Sequence, residues 1–236
     1  MNIVILKKDD FIDKENVILE KVRFEHLIKV NRVKKNHLLS CGLLNGKIGK
    51  GQIISISENS LKMKVSLDKD PPEPLPLTLI LSLPRPKMLK RIIESMTTLG
   101  VKKIYLINSW RVEKSYWQSP LLHENHLGKY MILGLEQSGD TILPQIYQKR
   151  FFTPFVKEEL PKISKKSICI TAHPSGFEKC PSRVNSKTTL VIGPEGGLIK
   201  KEVDTLEGIG FSTCHMGKRI LKVETAVTAL ISRLLL

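Results

Sequence analysis

Two glycine-bearing turns hold the residues best suited to chemistry. Gly193-Pro194-Glu195-Gly196-Gly197 follows the apolar run 190–192, and Met216-Gly217-Lys218-Arg219-Ile220-Leu221 follows the strand expected at 211–215. Each turn reads as the exit of a buried strand, so the two are expected side by side at one end of a parallel sheet. In open α/β sheets ligands bind beyond the carboxyl ends of the strands. Glycine there lets the backbone approach a ligand closely, so that main-chain N–H and C=O groups do the reading. Neither GxxxxGK[ST] nor GxGxxG is present, and Pro194 removes one donor that a phosphate nest would use. Ordinary strand-to-helix connections are the alternative for either turn taken alone.

The remaining reactive side chains offer little. Cys41, Cys169, Cys180 and Cys214 are scattered without a Cys-x-x-Cys pair, and the six histidines show no HExxH pattern. A metal site and a disulfide scaffold are therefore not expected, and the cysteines read as reduced thiols.

The elements that must position these turns follow from periodicity. From residue 77 onward strands and helices alternate, the mark of an α/β domain. Strands are expected at 77–83, 101–107, 166–172, 190–192 and 211–215, and helices at 87–99, 121–136 and 200–207. A terminal helix at 223–235 carries Val223, Ala226, Val227, Leu230, Ile231 and Leu234 on one wide apolar face, suited to packing on the sheet or to a dimer interface. Before residue 70 the pattern differs. Short apolar runs at 2–6 and 16–19, a helix near 23–32, two runs flanking Asn45-Gly46 and the alternating stretch 61–67 predict a compact β-barrel of about 70 residues. Between them lies Asp70-Pro71-Pro72-Glu73-Pro74-Leu75-Pro76, which suits a semi-rigid spacer. The expected domains are 1–72 and 73–236.

With 236 residues the chain can bury a substantial core, and its formal net charge of +15 suits a polyanionic partner. A solubilising lysine-rich surface is the bland alternative. No apolar run approaches the ~20 residues of a membrane helix, and no secretory signal is evident, so a cytoplasmic protein without a membrane partner is expected.

The pair IGPEGG at 192–197 and MGKRILKVETA at 216–226 resembles the paired signature of the SPOUT superfamily, and more narrowly that of the bacterial 16S rRNA uracil-N3 methyltransferases. The resemblance extends to 26–32, to Leu99-Gly100-Val101, to Arg111-Val112, to Glu136-Gln137-Ser138 and to Leu143-Pro144. It implies a PUA-like N-terminal barrel, a C-terminal α/β domain tied in a trefoil knot, and a homodimer. The implied cofactor is S-adenosylmethionine and the implied partner 16S rRNA of the small ribosomal subunit. By the same resemblance Ile192, Gly193, Pro194, Glu195, Gly196, Gly197, Met216, Gly217, Ile220 and Leu221 surround the cofactor, with Ala172 lining the same pocket. The sequence departs from the usual pattern at Asp140, at Lys222 and at Pro84-Arg85-Pro86-Lys87.

Uridine N3 must lose a proton as it attacks the sulfonium methyl, so the protein can accept that proton or stabilise charge on O2 and O4. Arg219 and Arg111 are the candidates for charge stabilisation, with phosphate binding or a surface ion pair as their plainer roles. Glu136 with Gln137 is a candidate for orienting the base, Glu224 for helix capping, and Glu195 either faces the sulfonium or is simply exposed. Lys29, Arg32, Lys34, Lys35 and Arg85 are the candidate RNA contacts. Methylation at another RNA position, base or ribose 2′-oxygen, and a non-catalytic RNA-binding protein are the alternatives.

Overall fold

A computed structural model describes residues 2–176 and 178–236. The chain forms two compact units: Met1–Glu73 with Ile132–Leu143, and Pro74–Met131 with Pro144–Leu236. The segment Ile132–Leu143, which sequence reading assigns to the second domain, is grouped with the first unit.

In the first unit, β1 (Val4–Leu6), β2 (Asn16–Glu20), β3 (Leu38–Leu43), β4 (Ile48–Ile56) and β5 (Ser60–Lys69) form one sheet in the order β1-β3-β4-β5-β2. β1 pairs parallel with β3 and the other pairings are antiparallel. The hairpin expected at Asn45-Gly46 joins β3 to β4, with Asn45 at φ 59°, a conformation that asparagine tolerates better than most residues. Helix α1 (Lys21–Lys29) contributes Phe24 and Leu27 to a core shared with Val17, Leu19, Ile53, Leu61 and Met63. Burial raises the thiol pKa of Cys41, in the same core, to about 12. Residues 132–143 are held by backbone and side chain alike. The N–H groups of Asn2 and Ile3 donate to Glu136 O at 2.9 and 3.2 Å, and Leu143 N donates to Asn45 Oδ1 at 2.9 Å. Leu135 packs with Ile3 and Ile5.

The second unit is built on seven strands, β6 (Leu77–Ser82), β7 (Lys103–Ile107), β8 (Gln145–Lys149), β9 (Ile168–Ala172), β10 (Glu178–Lys179), β11 (Thr188–Ile192) and β12 (Ser212–His215). Their order is β10-β12-β9-β11-β6-β7-β8, and every pairing is parallel. β11 lies at the centre and all five of its residues are buried, as a strand covered on both faces requires. Around the sheet lie α2 (Pro86–Thr98), α6 (Lys200–Glu207) and α7 (Val223–Leu235), and α3 (Glu124–Ser138) runs from this unit into the first. Between β8 and β9 the chain makes α4 (Phe152–Pro154), a π-helical turn (Phe155–Glu159) and α5 (Leu160–Ile163). Phe155, Val156 and Leu160 of this run join Ile80, Val191 and Leu206 in the core.

Several elements escape sequence reading. β8 is an edge strand without a fully buried residue, so it has no apolar run to betray it. The helical run before β9 contains Pro154 and Pro161, which argue against a helix at sequence level. β10 is only two residues long. No helix among the described residues is long and apolar enough to cross a membrane, and no metal-binding cluster occurs among them.

Candidate functional site

The two glycine turns leave the sheet at the carboxyl ends of β11 and β12, but the expectation that they are side by side needs correction. β9 lies between their strands, because it pairs with β11 on one side and β12 on the other. Ala172, its last residue, is in register with Ile192 and with Cys214. Sequence order cannot reveal this, since β9 precedes both of the strands that flank it.

After Ala172 comes His173, which sequence reading does not single out. Its Nδ1 is 2.6 Å from Ser175 Oγ and its Nε2 is 3.2 Å from Leu198 O, so the ring ties the exit of β9 to the residue that follows the first glycine turn. The backbone N–H of His173 also donates to Cys214 O at 2.9 Å. One residue thus links all three strand ends.

The first turn is surrounded by residues from earlier strand exits. Arg85, just after β6, donates its backbone N–H to Glu195 Oε1 at 3.0 Å. Arg111, after β7, donates from its guanidinium to Gly196 O. Glu195 is therefore engaged as an acceptor for Arg85, and Arg111 as a brace on the turn. The loop carrying Arg111 is fixed from beneath by Glu202 of α6. That carboxylate is 6% exposed and accepts from Trp110 N at 2.8 Å and from Ile199 N at 3.0 Å. A buried carboxylate is tolerated only when hydrogen bonds replace its water, and these two backbone donors do so. Its sequence signal is a glutamate placed as in a capping box at the start of a helix, which α6 shows.

The second turn lines a cleft of about 610 Å³, formed by Met216, Gly217, Lys218, Arg219 and Leu221. That lies within the range of roughly 300–1,000 Å³ typical of small-molecule sites. Gly217 has φ 117°, where side chains rarely fit, and nothing stands within 4 Å of where its Cβ would be. The turn therefore presents bare backbone to open space. Its N–H donates to His215 Nδ1 at 2.9 Å, which fixes the turn at its entry. Arg219 and Ile220 are both exposed; Ile220, 83% exposed, is not among the residues lining the cleft.

Two further observations bear on what fits there. Ser82 follows Leu81, the partner of Ile192, and so is level with Gly193; its Oγ is fully buried and has no hydrogen-bond partner among the described residues. Thr171 Oγ1, at the end of β9, is in the same condition. Behind the second turn, the hydrogen bond with the Cys180 thiol and then burial push Cys214 well above the ordinary thiol range, so it stays protonated. The residues lining the cleft include no cysteine, and main-chain recognition of a bound small molecule is what the arrangement offers.

Of the other candidates, Glu136 belongs to the first unit and is half-buried on α3; burial raises its carboxyl above the usual range, with Arg23 opposing. Lys29, Arg32, Lys34 and Lys35 are also in the first unit, all exposed, and Lys29 pairs with Glu25 at 2.9 Å. Asp140, noted as a departure, is 3% exposed and accepts from Thr141 N and Ile142 N at 2.6 and 2.9 Å, a turn-forming role.

Residues 71–235 match a family described as the RNA methyltransferase domain. The chain is 28% identical over 235 residues to the ribosomal RNA small subunit methyltransferase E of Treponema pallidum, covering 97% of this chain and 88% of that protein. It is 27% identical over 232 residues to the ribosomal RNA small subunit methyltransferase E 1 of Borreliella burgdorferi, covering 97% and 95%. Among solved structures it is similar to a ribosomal RNA small subunit methyltransferase E from Neisseria gonorrhoeae bound to S-adenosyl methionine. The TM-score is 0.75 at 21% identity, over 98% of this chain and 95% of the other.

Proposed function

This chain belongs to the RNA methyltransferase domain family, and we propose that it transfers the methyl group of S-adenosylmethionine to N3 of a uridine in 16S rRNA. The observation that carries the cofactor assignment is the bare backbone of the second glycine turn, open to a cleft of about 610 Å³ beside the exit of β9. The relatives named as small-subunit rRNA methyltransferases, and the bound cofactor of the similar structure, support the same reading.

S-adenosylmethionine, when bound, supplies an electrophilic methyl on a sulfonium. The backbone of Met216, Gly217, Ile220 and Leu221 on one side, and of Ile192, Gly193, Pro194, Glu195, Gly196 and Gly197 on the other, would hold it, with Ala172 between. Within this set Glu195 fixes Arg85 and Gly196 accepts from Arg111 in the first turn, and Gly217 N donates to His215 Nδ1 in the second, so both turns are braced before any ligand arrives. Arg219, exposed at the cleft, is the group that would stabilise negative charge on the uracil oxygens as N3 loses its proton. Arg111 retains guanidinium donors beyond the one given to Gly196 and would act beside it. Glu136 is kept as a base-orienting candidate, its raised pKa making it more able to hold a proton.

The first unit would hold RNA through Lys29, Arg32, Lys34 and Lys35, and Arg85 would add a contact in the second. The five-stranded sheet around the core of Val17, Leu19, Phe24 and Leu27 supports a PUA-like barrel over 1–72. A trefoil-knotted methyltransferase domain over 73–236 draws support from Arg183 N and Val184 N. They donate to Arg233 O and Leu234 O at 3.0 and 2.6 Å, clasping the end of α7 against the segment that enters β11. Exposed Ile220 suits a homodimer interface, and a cytoplasmic enzyme accords with this substrate.

The experiment is incubation with labelled S-adenosylmethionine and under-methylated small ribosomal subunits, followed by nucleoside mapping. Label on N3 of uridine is expected. Label on ribose would move the reading to a 2′-oxygen, and no cofactor binding by calorimetry would leave only RNA binding.

A further inference from the structure

We propose that the exit of β7 carries a stacking seat for one unpaired RNA base, with the Trp110 indole as its floor. The inference rests on the methyltransferase reading above and specifies the form in which RNA reaches the enzyme.

Trp110 is 79% exposed, although its neighbours Ser109 and Val112 are buried at 2% and 7%. The loop is therefore closed underneath, and the indole and Arg111 are what it leaves outside. Its backbone is not loose: the Trp110 N–H is held at 2.8 Å by the buried carboxylate of Glu202. An indole ordinarily gains by burying its large apolar area. Here a buried charge fixes the backbone below while the ring is left in water, which preorganises a flat face for a ligand.

The adjacent strand exits give that face its setting. Asn108 N donates to Lys149 O at 3.0 Å, so the chain after β7 and the chain after β8 leave the sheet together. From β8 come Arg150 and Phe151, the latter 74% exposed. The Arg150 guanidinium lies over the Trp117 ring at 5.6 Å, and Trp117 Nε1 donates to Asn108 Oδ1 at 2.8 Å. From β6 comes Arg85, whose Nε donates to Tyr116 Oη at 3.3 Å. The ends of three neighbouring strands thus present Arg85, Arg111 and Arg150 together with the exposed rings of Trp110 and Phe151. The nearby carboxylates are already engaged, Glu195 by Arg85 N and Glu113 by the Tyr116 hydroxyl at 2.9 Å.

Arginines among aromatic faces match single-stranded RNA, whose phosphates meet the cations while its bases stack. A paired base has no free face to offer, and N3 of uridine belongs to the edge that pairing conceals. The seat and the chemistry therefore demand the same unpaired state.

The test compares the full-length protein with Trp110→Ala and Trp110→Phe. On under-methylated small subunits, Trp110→Ala is expected to raise KM for the subunit about tenfold, with Trp110→Phe recovering most of the loss. Calorimetric affinity for S-adenosylmethionine and Tm should match wild type. Fluorescence anisotropy with a labelled uridine-containing oligonucleotide, single-stranded or annealed to its complement, should show a single-strand preference that Trp110→Ala abolishes. An unchanged KM and an unchanged preference would overturn the seat while leaving the methyltransferase reading intact. If wild type methylates nothing, that reading fails and the anisotropy comparison still decides the seat. A Trp110→Ala protein that changes oligomeric state in sedimentation, with RNA affinity intact, would assign the indole to a protein interface and overturn the proposal.

Discussion

The Arg111 guanidinium donates to the carbonyl oxygen of Gly196, and the same side chain occupies the ground where a Cβ on Gly196 would stand, with Arg111 Cδ and Cβ at 3.1 and 3.2 Å from that position. A side chain at 196 therefore competes with the brace for space, and the more so the larger it is. Gly196→Val should displace Arg111, distort the first turn and weaken S-adenosylmethionine binding by tenfold or more, read by calorimetry. Normal affinity would remove this turn from the cofactor site. Gly196→Ala, with a single methyl, should give a smaller loss.

Arg219→Ala should separate charge stabilisation from binding. Removing a group that acts only as charge develops lowers kcat and kcat/KM together. Loss of one such donor commonly costs about 10²–10³ in rate. Single-turnover methylation with saturating cofactor is the measurement, and an unchanged rate with a raised KM for RNA would make Arg219 a phosphate contact instead.

Lys34→Ala with Lys35→Ala tests the first unit. Both side chains are exposed, and for single-stranded RNA each lysine that no longer neutralises a phosphate should flatten the slope of log K against log salt by about 0.7. Cofactor affinity should not move. A slope equal to wild type would place these lysines outside the interface.

Glu136 makes stability depend on pH. Burial, the larger influence, raises its carboxyl pKa over the opposition of Arg23. A carboxyl whose folded pKa lies above its unfolded value favours the folded state at pH below the unfolded pKa, and this contribution is lost as pH rises through the folded pKa. Glu136→Gln should therefore gain stability relative to wild type at neutral pH, with the gain shrinking toward acid pH. Urea unfolding at several pH values reads it, and methylation by the same variant shows whether the carboxyl takes part in orienting the base.

Glu202→Ala would leave the half-buried N–H groups of Trp110 and Ile199 without their acceptor. Each such loss costs about 1–3 kcal/mol, so the denaturant midpoint should fall clearly. Glu202→Gln, which keeps one acceptor oxygen, should fall less. Equal midpoints for wild type and Glu202→Ala would show that the loop finds other partners.

Much of this architecture is legible in the amino-acid order because local physics fixes it. The Asn45-Gly46 hairpin, the apolar run of β11 and the spacing of Val223, Val227, Leu230, Ile231 and Leu234 in α7 follow from turn chemistry and periodicity. What is not legible depends on contacts distant in sequence. The insertion of β9 between β11 and β12 has no local signature. Nor does the role of His173, which becomes apparent only when Leu198 O and Cys214 O meet it in space. Ile132–Leu143 reads as the end of a helix and a loop, and only the partners of Glu136 O and Leu143 N reveal that it packs with the N-terminal strands. The exposed indole of Trp110 likewise has no periodic signal, since it lies in a loop.

The strand order of the second unit also sets a timetable for synthesis. Every residue of the first unit has been made once position 143 is reached, whereas β9 gains its second neighbour only when β12 has been added. A chain cut short between those points has every residue of its N-terminal unit but no wall for its cleft. Translation itself thereby keeps methyl transfer as the last property this polypeptide acquires.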